Sequence, residues 1–226
     1  LWNFIFFYLE PICFFLNSLA LIYFSFKINH QLKYKVLAVS YFVGALILSK
    51  ASQSTGGSHV NTDLYNILYV ITTGGIGYYF LSTLTSKTKR ACTLIVILIV
   101  ILYYLIHNFV GDEKFFDSMG YVISSTGIVV MIFMFIHQMI NNVTDEPLSL
   151  NFDFWFVCSQ LFYCLGSFAV FLTYNYFTLK VLPDLKYEIQ DLLTYLWAIP
   201  ILLLFLSTLT TGLAVVWISS QRKPST

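Results

Sequence analysis

Residues 149–177, SLNFDFWFVCSQLFYCLGSFAVFLTYNYF, form an apolar run that leaves a polar, acidic stretch and carries small residues at its centre. The hydrocarbon core of a bilayer is about 30 Å thick and a helix rises about 1.5 Å per residue, so such a run is long enough to span it. No polar stripe of the kind that faces water interrupts it, and it reads as a membrane-spanning helix. Its direction fixes the direction of every other segment.

Six further segments pass the same length test. With 58% hydrophobic and 10% charged residues and a mean hydropathy of +0.77, the chain lacks the polar side chains to cover a soluble globule of 226 residues. The expected fold is all-α: one polytopic bundle over residues 1–226, with transmembrane helices at about 2–26, 32–49, 64–84, 91–109, 117–140, 152–177 and 192–219. Asp63 and Asp117 with Ser118 stand where N-caps of the third and fifth helices are expected. Pro200 predicts a kink in the seventh.

Basic residues orient the bundle. Alternate loops collect Lys27, Lys33, Lys35, Lys87, Lys89, Arg90, Arg222 and Lys223 on one side and Lys50, Lys114, Lys180 and Lys186 on the other. Eight against four places the N-terminus outside and the C-terminus in the cytoplasm. The acidic stretch 145–153 has neither Lys nor Arg, yet falls on the cytoplasmic side. The net charge of +1, with its basic residues scattered among loops, argues against nucleic acid as a partner.

Where helices meet inside lipid they do so through close packing and hydrogen bonds, so small residues mark contact faces. Gly74, Gly75 and Gly77 cluster in the third helix, Gly120, Ser124 and Gly127 share a face of the fifth, and Thr208 and Gly212 lie in the seventh. These are candidates for tight packing or for a hinge, the third helix above all. Cys13, Cys92, Cys158 and Cys164 form no CxxC pair and read as small apolar packing residues.

Glu10 is the most unusual residue. If the first helix begins near Trp2, its carboxylate lies well inside the span, where an acid is a functional candidate. If the helix begins at Pro11, Glu10 is an interfacial helix-start acid. Lys50, on the same side, is its natural partner. His59, Asn66, His107, Asn108 and Tyr121 belong to that side too, and with Glu10 and Lys50 they form a candidate ligand pocket facing outward.

Other chemistries find no pattern. His107 and His137 fall on opposite sides of the membrane, so they cannot jointly hold a haem or metal, and no metal or other cofactor is expected. The last helix has no lysine for a retinal Schiff base, and the two halves of the chain show no repeat of the kind carriers use. Asp112 and Glu113 are adjacent and point apart, which suits a solvated turn better than acid–base catalysis. The glycosylation sequon at 142–144 lies on the cytoplasmic side, and no phosphate loop, HExxH or GxSxG occurs. Trp2, Trp155, Trp197 and Trp217 fit interfacial belts. No catalytic residue is expected.

LYNILYVITT in the third helix, FWFVCSQLFYCLGSFAVFL after the acidic turn, and the closing WAIPILLLFLSTLTTGLAVVW resemble a group of uncharacterised seven-helix inner-membrane proteins of Bacteroidetes-type bacteria. The resemblance implies an association with two-component sensor systems and a bacterial inner-membrane location. It carries no catalytic residue, and this chain contains no kinase region, so signalling would require a partner such as a sensor kinase. The expectation is a non-enzymatic sensory or signalling-partner module in the lipid bilayer. The alternatives are an accessory subunit of a larger membrane complex and a small-molecule transporter.

Overall fold

The computed structural model describes residues 8–27, 31–53, 58–110, 118–142, 147–180 and 188–221. Among them are seven α-helices: α1 (Glu10–Lys27), α2 (Leu32–Gln53), α3 (Ser58–Thr83), α4 (Lys87–Val110), α5 (Ser118–Asn141), α6 (Phe152–Lys180) and α7 (Glu188–Gln221). A 3-10 turn, Leu148–Leu150, precedes α6. Five helices, α2, α4, α5, α6 and α7, are long and apolar enough to cross a membrane, which marks the chain as an integral membrane protein. The described part of α1 is bounded by Glu10 and Lys27, and α3 opens on the polar sequence SHVNTD.

Several helices run further than their apolar spans. Asp63 lies inside α3 and cannot cap it, because the polar residues from Ser58 onward are already helical. Likewise α4 begins at Lys87, so its first turn holds the basic run KTKR, and α7 begins at Glu188 and remains helical through Pro200. Apolar length locates the part of a helix that suits lipid; the backbone hydrogen bonds continue past it into polar residues. Residues 2–7 and Asp117 lie outside the described residues.

The helices close into a ring. Each of α1, α2, α3, α5, α6 and α7 packs on the next, and α7 returns to α1, whereas α4 touches only α3 and α5 from outside. The starts of α1, α3, α5 and α7 gather at one end, which we call the Glu10 end, and the starts of α2, α4 and α6 at the other, the Asp153 end. Each ring helix turns one stripe inward: in α1 these are Cys13, Phe14, Asn17, Ser18, Leu21, Phe24 and Ser25, at the three- and four-residue spacing of one helical face. Among the described side chains of α4 only Thr93 and Val100 are buried, while Leu98 is 62% and Leu102 58% exposed.

Small residues set the closest approaches. A Cβ at Gly75 would meet Ser40 of α2, at Gly77 Ile97 of α4, and at Gly127 Val96 of α4. Gly44 against Phe14 and Gly166 against Leu203 do the same for α1–α2 and α6–α7, and neither stood out in the sequence. Gly120 is buried on the inner face of α5. Gly74 and Gly212 are corrections to the packing expectation: a Cβ there would meet nothing within 4 Å, because both point away from the neighbouring helix. The α3 helix runs unbroken through Gly74, Gly75 and Gly77, with no glycine of the described residues at positive φ.

Candidate functional site

Two part-buried polar groups of residues occupy the ends of the ring. At the Asp153 end, the first turn of α2 supplies Lys33 and Tyr34, the last turns of α3 supply Tyr79 and Thr83, and the first turn of α6 supplies Asp153. Lys33 Nζ donates to Asp153 Oδ2 at 2.8 Å, while the hydroxyls of Tyr34 and Tyr79 donate to Oδ1 at 2.7 and 2.8 Å. Lys33 also reaches Thr83 Oγ1 at 3.4 Å and lies over the Tyr34 and Tyr79 rings. Charge-assisted bonds of this length are the strong ones, and a carboxylate in the first turn of α6 also meets the positive end of that helix. Phe24 stacks on Phe152 at 4.1 Å and Phe156 packs edge-on to Tyr79 at 4.9 Å, so aromatic rings seal the pair from two sides.

This group escaped the sequence reading, in which Lys33 is only one of several loop charges and Asp153 the last residue of an acidic loop. The available signal was local: each charge stands next to aromatic residues at a helix start, KYK in α2 and FDFW in α6. Around it, the Gln138 side chain of α5 accepts from the Thr85 amide at 2.8 Å and donates to the Thr83 carbonyl at 3.1 Å, holding the α3–α4 connection. Lys89 donates to the Met134 carbonyl at 3.0 Å. A surface crevice of about 560 Å³, lined in part by Phe135, Met139, Leu148 and Phe154, opens beside Asp153.

At the Glu10 end the Tyr65 hydroxyl donates to Glu10 Oε2 at 3.2 Å, and the Tyr121 hydroxyl donates to the Tyr65 carbonyl at 2.9 Å. Trp197 of α7 packs edge-on to Tyr65, Phe171 and Tyr174. Behind Glu10, on the ring axis, lies a cavity of about 40 Å³, space for about one to three waters. All six ring helices contribute to its wall: Glu10 and Phe14 from α1, Tyr41 from α2, Tyr69 and Thr72 from α3, Tyr121, Ser124 and Ser125 from α5, Gln160 and Tyr163 from α6, and Leu204 from α7.

Of the pocket residues expected from sequence, the cavity brings together Glu10 and Tyr121. Lys50 is not Glu10's partner. It is exposed, one position off the inward stripe of α2 that ends in Leu48 and Ala51, and the only ion pair among the described residues is Lys33–Asp153. His107 stacks on Tyr103 on α4, and Asn108 donates to the Tyr104 carbonyl. A helix outside the ring cannot deliver a side chain to its axis. Asn66 is buried on α3 but does not line the cavity, because its neighbour Tyr65 faces Glu10. The side chain of His59 lies outside the described residues.

Between the ends, polar side chains bond across neighbouring helices. Asn17 donates to Thr208 at 2.7 Å across the α1–α7 closure, Ser18 to the Ala38 carbonyl at 2.9 Å, and Gln160 to Ser207 at 3.3 Å. Thr73 pairs with Ser124, and Ser159 with Thr211. Buried polar groups in an apolar bundle are costly unless paired, so these contacts specify which helix faces which. Among the described residues no group of three or more His, Cys, Asp or Glu side chains is close enough to hold a metal ion. The arrangement offers a fixed charge pair at one end, a carboxylate beside a small polar cavity at the other, and a hydrogen-bonded interior between them. Compared with known protein families, with characterised proteins and with solved structures, the chain matches none.

Proposed function

We propose that the protein is a non-enzymatic sensory or signalling-partner module of a bacterial inner membrane. In this reading all seven helices cross the bilayer, the Glu10 end faces outward, and the Asp153 end and C-terminus face the cytoplasm. The carrying observation is the axial cavity itself, in which one carboxylate and side chains from all six ring helices converge. A change at Glu10 is therefore felt by every helix of the ring. Orientation draws on the basic residues Lys27, Lys33, Lys35, Lys87, Lys89 and Arg90, which gather at the Asp153 end. The partner is a second membrane protein such as a sensor kinase, which the Asp153 end would contact.

The test is communication between the ends. In native membranes, with the four cysteines replaced by serine or alanine, Ser86→Cys in the α3–α4 connection reports the Asp153 end through its labelling rate by a thiol reagent. Glu10→Gln is expected to shift that rate at least threefold. An unaltered rate overturns the sensory reading.

One observation favours a second reading, an accessory subunit of a larger membrane complex: α4 stands outside the ring with most of its apolar surface uncovered. Stoichiometric recovery of other membrane subunits on gentle extraction, with no end-to-end effect of Glu10→Gln, would establish it.

A further inference from the structure

We propose that the axial cavity beside Glu10 is a binding site for one small monovalent cation, no larger than ammonium, held by the Glu10 carboxylate and by side-chain oxygens of the cavity wall. This names the cue that the sensory reading leaves open, and it rests on that reading only for the consequence of binding. The first ground is charge. Glu10 takes one hydrogen bond, from Tyr65, and no basic side chain of the described residues is paired with it. A carboxylate in an apolar bundle either takes up a proton or keeps its charge beside a matching positive one, and a bound cation would supply that charge here.

The second ground is the wall. Tyr41, Tyr121, Tyr163, Gln160, Thr72 and Ser125 line the cavity, all of them residue types whose side chains carry oxygen. Oxygen donors suit hard cations, and phenol rings also favour an ammonium over their faces. Only one of these groups is a carboxylate, so the site carries a single negative charge, which a monovalent ion balances and a divalent ion does not. The third ground is size: about 40 Å³ accommodates an ion of about water's dimensions and excludes sugars, amino acids and nucleotides.

Trp197 supplies a reporter, since its ring lies 6.0 Å from that of Tyr65, whose hydroxyl is on Glu10. With Trp2, Trp155 and Trp217 changed to phenylalanine, the protein in phosphatidylcholine nanodiscs is titrated with sodium chloride or ammonium chloride, exchanged against choline chloride at constant ionic strength. A saturable change in Trp197 emission is expected with sodium or ammonium and not with choline. Glu10→Gln should weaken the apparent affinity at least tenfold, and Glu10→Asp, which keeps the charge, should retain a saturable response. Titrations indistinguishable from choline, an unchanged midpoint in Glu10→Gln, or a response to pH alone would each overturn the proposal. Cation binding without any effect on Ser86→Cys labelling would leave this site standing and remove the sensory reading; the converse result would do the reverse.

Discussion

Lys33 and Asp153 stand 2.8 Å apart although 120 residues separate them in the chain, and their pairing ties the start of α2 to the start of α6 across the ring. Both side chains are largely buried, at 8% and 18% exposure, and the tyrosines that complete the carboxylate's shell come from α2 and α3. Three ring helices therefore depend on one carboxylate. Glu10, at the other end, has one tyrosine where Asp153 has two tyrosines and a lysine. Among the described residues Asp153 has a counter-charge beside it and Glu10 has none.

Removing both members of the pair should cost less than the two single removals added together. Asp153→Asn leaves the Lys33 ammonium buried without its counter-charge, a loss of about 3–5 kcal/mol for buried pairs, and the partial exposure of Asp153 places it toward the lower end of that range. Lys33→Met combined with Asp153→Asn should lose less than the sum of the single changes, because no uncompensated charge remains. Unfolding titrations in mixed micelles check this; additive losses would show that the two side chains are not coupled.

Adjacent glycines of α3 should respond in opposite ways to the same change. A Cβ at Gly75 collides with Ser40, including its Cβ, which cannot move without the α2 backbone, so Gly75→Ala should cost about 1–3 kcal/mol. Gly74→Ala enters open space and should be neutral or stabilising by up to about 1 kcal/mol. The same unfolding titration separates them, and equal effects would contradict the α2–α3 packing.

The helices were legible in the sequence because apolar length is a property of a continuous stretch: α1 to α7 each overlap an expected segment, and five of them are apolar enough to cross a membrane. Their ends were less so: Asp63 reads as a cap because polarity begins there, yet polar residues continue the same backbone ladder. The Lys33–Asp153 pair has no periodic signature, since its spacing depends on how two helices meet. Glu10 stood out as either an intramembrane or a helix-start acid, and it lies in the first turn of α1, but Lys50 was assigned to it by side of the membrane alone, and helical phase turns Lys50 outward. The place of α4 was half-visible. Its core, ACTLIVILIVILYYLI, has almost no polar residue, as suits a helix with little interior surface, yet α7 is equally apolar by hydropathy and sits in the ring.

The outlying position of α4 predicts which of its residues meet lipid. Photoreactive fatty-acyl probes should label Leu98 and Leu102 and spare Val100, which is 2% exposed and faces the ring. Leu98→Lys should impair insertion of α4, since a lysine near the middle of a span costs about 2.5–3.5 kcal/mol on insertion scales. Protection of Leu98 in native membranes, with labelling after purification, would instead mean that a second protein covers this face.

Gln138 should control the α3–α4 connection, and with it the reporter position at Ser86. Its Oε1 accepts from both the amide and the hydroxyl of Thr85, at 2.8 and 3.0 Å, while its Nε2 donates to the Thr83 carbonyl that ends α3. These bonds are partly exposed, so each contributes toward the lower end of about 0.5–1.5 kcal/mol. Gln138→Ala removes all three, and local opening that becomes easier by about 1.4 kcal/mol speeds amide exchange about tenfold. Hydrogen exchange resolved at Thr85 should therefore accelerate by about that factor, with Tyr79 and Phe80, a turn earlier in α3, unaffected. Gln138→Glu keeps the acceptor and loses the donor, so it should protect the Thr85 amide while releasing the Thr83 carbonyl. Equal exchange at Thr85 in all three proteins would show that the connection is held by its own backbone and not by α5.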